Sequence, residues 1–168
     1  MHVRWASVGD ARGVAAVHVD AWRAAYPGLV PQEVLDGLSV DTRADGWTRW
    51  IEASLADPSH HRLLVADVDG RVLGWASFGS GRDEGAEGLG ELAGLYVHPD
   101  AWSRSVGHAL IGRVHEELAA MGFASAYLWV LRGNERAGRF YERQGWLDDG
   151  GRKTVDGLEE LRRSRSVA

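Results

Sequence analysis

The sequence predicts a mixed α/β domain, one unit over residues 1–168, with antiparallel hairpins first and a single β-α-β passage later. Three observations carry this. Apolar residues recur at helical spacing from Val14 to Leu55. The period then changes to that of strands. Arg62–Asp67 and Val72–Phe78 flank Val68-Asp69-Gly70-Arg71, and Asp-Gly between two apolar runs is a hairpin signal. Finally, a strand at Glu91–Val97, a helix at Gly107–Met121 and a strand at Ala126–Leu131 follow one another. A right-handed crossover would set those two strands parallel and close. The 168 residues suit one domain, and 45% hydrophobic with 26% charged residues is a globular composition.

Taken in order, His2–Ser7 reads as a short strand. Gly9-Asp10 opens a helix, with Asp10 placed as an N-cap. Val14, Val17, Ala21 and Ala25 share its apolar face, and Pro27 stops it. Pro31 suits a first helical position, and Val34, Leu35 and Leu38 outline a short helix after it. Asp41 precedes a further run in which Trp47, Trp50, Ile51 and Leu55 share a face, ending at Pro58. After the hairpin, Gly79–Gly90 is rich in Gly, Asp and Glu and reads as a mobile connection with no site of its own. Leu110, Ile111, Val114 and Leu118 line one face of the Gly107–Met121 helix. Glu135–Gln144 is a short helix ending at Gly145. Two strands around Asp156-Gly157 complete the chain. The eight tryptophans, from Trp5 to Trp146, read mostly as core filling.

Composition excludes several functions. There are no cysteines, so no disulfide scaffold, thiolate zinc site or cysteine nucleophile exists. A net charge of -5 argues against a nucleic-acid partner. No apolar run approaches the roughly 20 residues of a membrane span. Met1–Ala6 lacks a signal-peptide apolar core, so a cytoplasmic location is expected. The adjacent His60-His61 pair has no further metal ligands that the sequence assigns.

The chemistry lies in Glu91–Ile111 and Asn134–Trp146. In the first stretch a strand ends at Val97, a polar loop follows and a helix begins near Gly107. Strand-loop-helix geometry aims free backbone N–H groups at one point, with the helix dipole behind them. That is an anion cradle suited to a pyrophosphate, although an ordinary strand-to-helix turn has the same outline. A dinucleotide fingerprint and a phosphate-loop lysine are both absent, which disfavours NAD and ATP. In the second stretch Asn134 stands where an N-cap belongs, and Tyr141 lies two turns on along the same helical face.

These stretches resemble the GNAT superfamily of N-acetyltransferases, over nearly the whole chain. Leu95–His108 is similar to the family's acetyl-CoA loop, a Val-x-Pro strand end followed by Gln/Arg-x-x-Gly-x-Gly/Ala. Asn134–Trp146 is similar to its N-x-x-A…F-Y…G-F signature, and His18–Gly28 resembles the first helix of many members. The resemblance implies a mostly antiparallel central sheet with a splayed parallel pair, flanked by helices. It also implies acetyl-CoA as acyl donor and direct transfer to a primary amine. Leu95, Tyr96 and Val97 would meet the pantetheine arm through backbone groups, one N–H polarising the thioester carbonyl. Ser103, Arg104, Ser105, Val106, Gly107 and His108 would wrap the pyrophosphate. Asn134 would contact the cofactor arm, and Tyr141 would protonate the leaving thiolate. Two positions depart from the pattern. Trp102 stands at the Gln/Arg position, which removes a polar loop contact, and Ser105 stands at the first glycine. If Ser105 needs a left-handed backbone, the serine costs about 1–2 kcal/mol.

Glu91 is the candidate general base, because flanking Leu89 and Leu92 would bury it and raise its pKa. His98 and His108 read as loop residues. Asp20, Trp22 and Tyr26, with Asp83, Glu84 and Glu87, would favour a small cationic amine through charge and cation–π attraction. A peptide acceptor stays open, as do a non-catalytic acyl-CoA-binding or regulatory module and a nucleotide-binding protein. An exposed edge at the C-terminal strand invites a homodimer.

Overall fold

In the computed structural model, which describes Met1–Ala168, Asp69 and Gly70 both adopt positive φ, 52° and 81°. This turn geometry matches the twist of paired strands. It joins β2 (Arg62–Val68) to β3 (Arg71–Ser80), with β1 (His2–Trp5) on the outer side of β2 and β4 (Gly90–Val97) beside β3, all antiparallel. The crossover helix α4 (Val106–Ala120) then delivers β5 (Ser125–Leu131) parallel to β4. The final hairpin, β6 (Leu147–Val155) and β7 (Leu158–Ser166), turns at Asp156-Gly157 and inserts β7 against β5. The sheet order is β1-β2-β3-β4-β5-β7-β6.

Side chains alternate across this sheet, as a period of two requires. Leu64 and Ala66 of β2 join Phe78, Leu92 and Leu128 under α4, which contributes Leu110, Ile111, Val114 and Leu118. Leu63 and Val65 face the opposite way, toward Val14 and Val17 of α1 (Ala11–Ala25) and Ile51 of α3 (Val40–Ala56). Helix α2 (Gln32–Asp36) seats Leu35 in a third cluster with Val19 and Tyr26. Gly74 lets α4 lie close on β3, since a Cβ there would meet Leu110 Cδ1 at 2.9 Å and Tyr96 O at 3.1 Å.

Two local readings change. Asp10 makes no side-chain cap on α1. Its carboxylate instead accepts from the Ser7 N–H (2.8 Å) and from both terminal nitrogens of Arg4 (2.8 Å each). Arg4 holds the Asp10 pKa down at about 2. Helix α3 is capped by Ser39, whose hydroxyl accepts from Thr42 N, ahead of the expected start at Asp41. No helix is long and apolar enough to cross a membrane.

Candidate active site

β4 and β5 pair over only three positions, Gly90↔Ala126, Glu91↔Tyr127 and Leu92↔Leu128. Beyond Leu92 the two strands part, and a cleft of about 810 Å³ opens between them. On its other side β4 stays in register with β3 to Val97, and the His98 N–H reaches Leu73 O at 2.8 Å. Backbone groups alternate along a strand. Tyr96 therefore turns its N–H toward β3, while Leu95 and Val97 turn theirs into the cleft. Of the three strand residues expected to bind through backbone, Leu95 and Val97 thus face the cleft with their N–H groups, and Tyr96 faces β3 with its own.

The loop after β4 supplies Ser103, Ser105, Val106, Gly107 and His108 to the cleft wall, whereas Arg104 is exposed and lies outside it. Ser103 and Ser105 take φ of 61° and 63°, so Ser105 does occupy a left-handed backbone at the start of α4. Ser105→Gly is expected to relieve about 1 kcal/mol of strain and so to raise folding stability by up to that amount. Denaturant unfolding of both proteins checks this, and an equal or lower stability of the glycine variant rejects it. Trp102 ties the loop to the end of β4, its Nε1–H donating to Val97 O at 2.8 Å.

α5 (Glu135–Arg143) begins at Asn134, whose side-chain oxygen accepts from Ala137 N at 3.2 Å. Capping uses that oxygen and leaves the amide NH₂ for the cleft. Tyr141 lies two turns further on, buried against the core, with its ring on the cleft wall. Burial pushes its phenol above the ordinary value, with a smaller push from Tyr96, so it stays protonated. Tyr96 and Tyr26 bring their hydroxyls to 3.2 Å of each other nearby.

Glu91 lines the cleft and is buried, at 5% exposure. Arg82 grips it from the side: Nε donates to Oε2 at 2.9 Å, Nη2 to Oε1 at 2.8 Å, and the Arg82 backbone N–H to Oε2 at 3.1 Å. Behind it, His61 Nε2 stands 3.7 Å from Oε2 and bonds Ser80 O at 2.7 Å. Desolvation lowers the His61 pKa and favours the neutral ring.

Arg82 corrects one expectation. The segment between β3 and β4 is tied down and part of the site. The Arg82 and Asp83 N–H groups both donate to Tyr127 Oη, at 3.2 and 3.3 Å, and Trp129 Nε1–H donates to Asp83 Oδ2 at 2.7 Å. Lys153 completes this wall, 4.4 Å from the Trp129 ring centre and 3.7 Å from both Asp83 and Glu160. Sequence reasoning does not single out Trp129, Lys153 or Glu160. The one signal for Lys153 is that it is the sole lysine of the chain. Trp22 and Tyr26 reach the cleft as expected. Asp20 is engaged by His98 Nε2 at 3.1 Å, and Glu84 and Glu87 point to solvent.

The acetyltransferase (GNAT) family model matches residues 20–146. The uncharacterized N-acetyltransferase YuaI of Bacillus subtilis is 33% identical over 132 residues, which is 79% of this chain and 72% of that protein. Among solved structures, the PaiA N-acetyltransferase of Thermoplasma acidophilum in complex with coenzyme A gives a TM-score of 0.79 at 18% identity, over 98% of each chain. YncA of Salmonella typhimurium with acetyl-CoA gives 0.74 at 20% identity, over 100% of this chain and 94% of that one. Those two likenesses are likenesses of fold.

Proposed function

This chain belongs to the acetyltransferase (GNAT) family, and on that premise we propose that it moves an acetyl group from acetyl-CoA to a primary amine by direct attack in a ternary complex. The observation that carries the reading is the parting of β4 from β5. It leaves strand N–H groups unpaired beside Tyr141, in a cleft that runs from the start of α4 to the acidic and aromatic wall.

Acetyl-CoA supplies an activated thioester carbonyl. In this reading the N–H of Leu95 or Val97 donates to that oxygen as charge builds on it. The Asn134 amide holds the pantetheine arm, and the N–H groups of Ser103 and of Ser105 to His108 take the pyrophosphate. Tyr141 donates to the departing sulfur. Glu91 receives the proton that the amine must lose. For this Arg82 has to let go, and its side chain is free enough to do so at 63% exposure. An arriving ammonium would take the place of the guanidinium beside the carboxylate.

The acceptor we favour is a small cationic amine. The far wall carries Glu91, Asp83 and Glu160 against Arg82 and Lys153, a surplus of one negative charge. Trp22, Tyr26 and Tyr96 present aromatic surface beside it.

Thermal unfolding with excess acetyl-CoA, CoA, ATP and NAD tests the reading. At about 100 times the dissociation constant a ligand stabilises by roughly 2.7 kcal/mol. For a chain of this size the midpoint rises by roughly 5–10 °C. A rise with acetyl-CoA and CoA alone is expected. A flat response at millimolar acetyl-CoA overturns the proposal.

A further inference from the structure

We infer that Arg136, laid flat on Trp102, is the side-chain phosphate ligand of this cleft. The inference rests on the acetyl-CoA reading above. Its starting point is an arginine without a carboxylate. On the same helix Arg139 takes Glu135 at 3.0 Å, while Arg143 also lines the cleft without a carboxylate but is not seated on an aromatic ring as Arg136 is. Arg136 lines the cleft, and the only influence on its pKa is loss of water, which lowers it. A largely exposed cation that lines a cleft without a counter-ion is placed to receive an anion from outside the chain.

Its placement is fixed by the residue that departs from the family pattern. The Arg136 guanidinium carbon sits 3.6 Å from the centre of the Trp102 ring. The indole is itself fastened by its bond to Val97 O at 2.8 Å. Stacking holds the guanidinium plane while leaving its N–H edge free to donate, so little rotamer entropy remains to be lost on binding. The anion cradle lies alongside. Trp102 leads directly into Ser103 and Ser105, whose left-handed backbones turn the chain into α4. A phosphate there meets backbone N–H groups and the helix dipole on one side and the Arg136 fork on the other. Trp102 thus offers no polar group of its own to the anion and acts as the platform for a cation delivered by α5.

The ligand chemistry is a phosphate of the cofactor's nucleotide end, either the pyrophosphate or the 3′-phosphate. Calorimetric titration of the full-length protein with CoA, 3′-dephospho-CoA and pantetheine tests it. Arg136→Ala is expected to weaken CoA binding by roughly tenfold to a hundredfold, as loss of a charge-assisted contact does. Arg136→Lys should recover only part of this, because an ammonium lacks the fork and stacks poorly. Pantetheine, without phosphate, should bind both proteins alike. Arg139→Ala removes the same charge from the same helix and should leave CoA binding unchanged. If the Arg136→Ala loss persists with dephospho-CoA, the contact is to the pyrophosphate. If it vanishes, the contact is to the 3′-phosphate. Arg136→Ala binding CoA as tightly as wild type, or Arg139→Ala losing as much as Arg136→Ala, overturns the inference alone. Wild-type protein that binds no CoA overturns the acetyl-CoA reading, and this inference with it.

Discussion

Replacing Tyr141 by phenylalanine is expected to lower acetyl transfer by roughly a hundredfold or more while leaving CoA affinity nearly unchanged. The ring would stay in its core position against α4 and the sheet, so packing is conserved and only the hydroxyl is lost. The phenol is protonated across the working pH range, because burial raises its pKa. That raised pKa keeps the proton on the phenol until negative charge has built up on the sulfur. The loss should therefore fall on kcat, since the ground-state thioester sulfur accepts hydrogen bonds poorly. Single-turnover rates with saturating acetyl-CoA measure this. Wild-type turnover in the variant would remove Tyr141 from the chemistry.

Glu91→Gln is expected to produce a loss of similar size, roughly a hundredfold near neutral pH. Glutamine fills the same space, and its one remaining oxygen can still accept from Arg82. What disappears is the group proposed to take the amine proton. The variant's rate should then climb with pH, by up to tenfold per unit, as free amine accumulates below an alkylamine pKa of about 10. Arg82→Ala gives the opposite signature. It releases the carboxylate from its two side-chain bonds of 2.8 and 2.9 Å, so KM for a cationic amine should fall. A Glu91→Gln enzyme with wild-type rate and pH profile would rule out the proton-acceptor role.

How far the sequence discloses these features depends on the range of the interactions. The Asp69-Gly70 turn, the Asn134 cap and the stop before Pro27 are local, and each can be located from neighbouring residues. The helical and strand periods likewise follow from which side must be buried. Asp10 departs from its expected cap because capping competes with every other partner in reach. Arg4 and Ser7 offer a charged pairing that the first turn of α1 cannot match. The Arg82–Glu91 grip is hidden for a different reason. Both residues are visible, but a glycine-rich connection gives no sign that its first arginine folds back across the sheet. Lys153 and Glu160 reach the cleft only because β7 pairs with β5, a contact between distant parts of the chain. Trp102 reads in the sequence as a lost polar contact, because the Arg136 that sits on its ring comes from α5, beyond the next strand.

The insertion of β7 between β5 and β6 also bears on how the chain is made. β5 carries the apolar run Ala126–Leu131, and it meets β4 through only three paired positions. Its other edge waits for Leu158–Ser166, which leaves the ribosome only after β5 and β6 have done so. During that interval the nascent sheet ends in an open hydrophobic edge, the kind of surface that recruits a second unfinished chain. Non-local pairings of this sort also form slowly. The row of arginines in β7, Arg162, Arg163 and Arg165, then acts as a gatekeeper. Charges of that kind discourage wrong pairing of the closing strand before it docks.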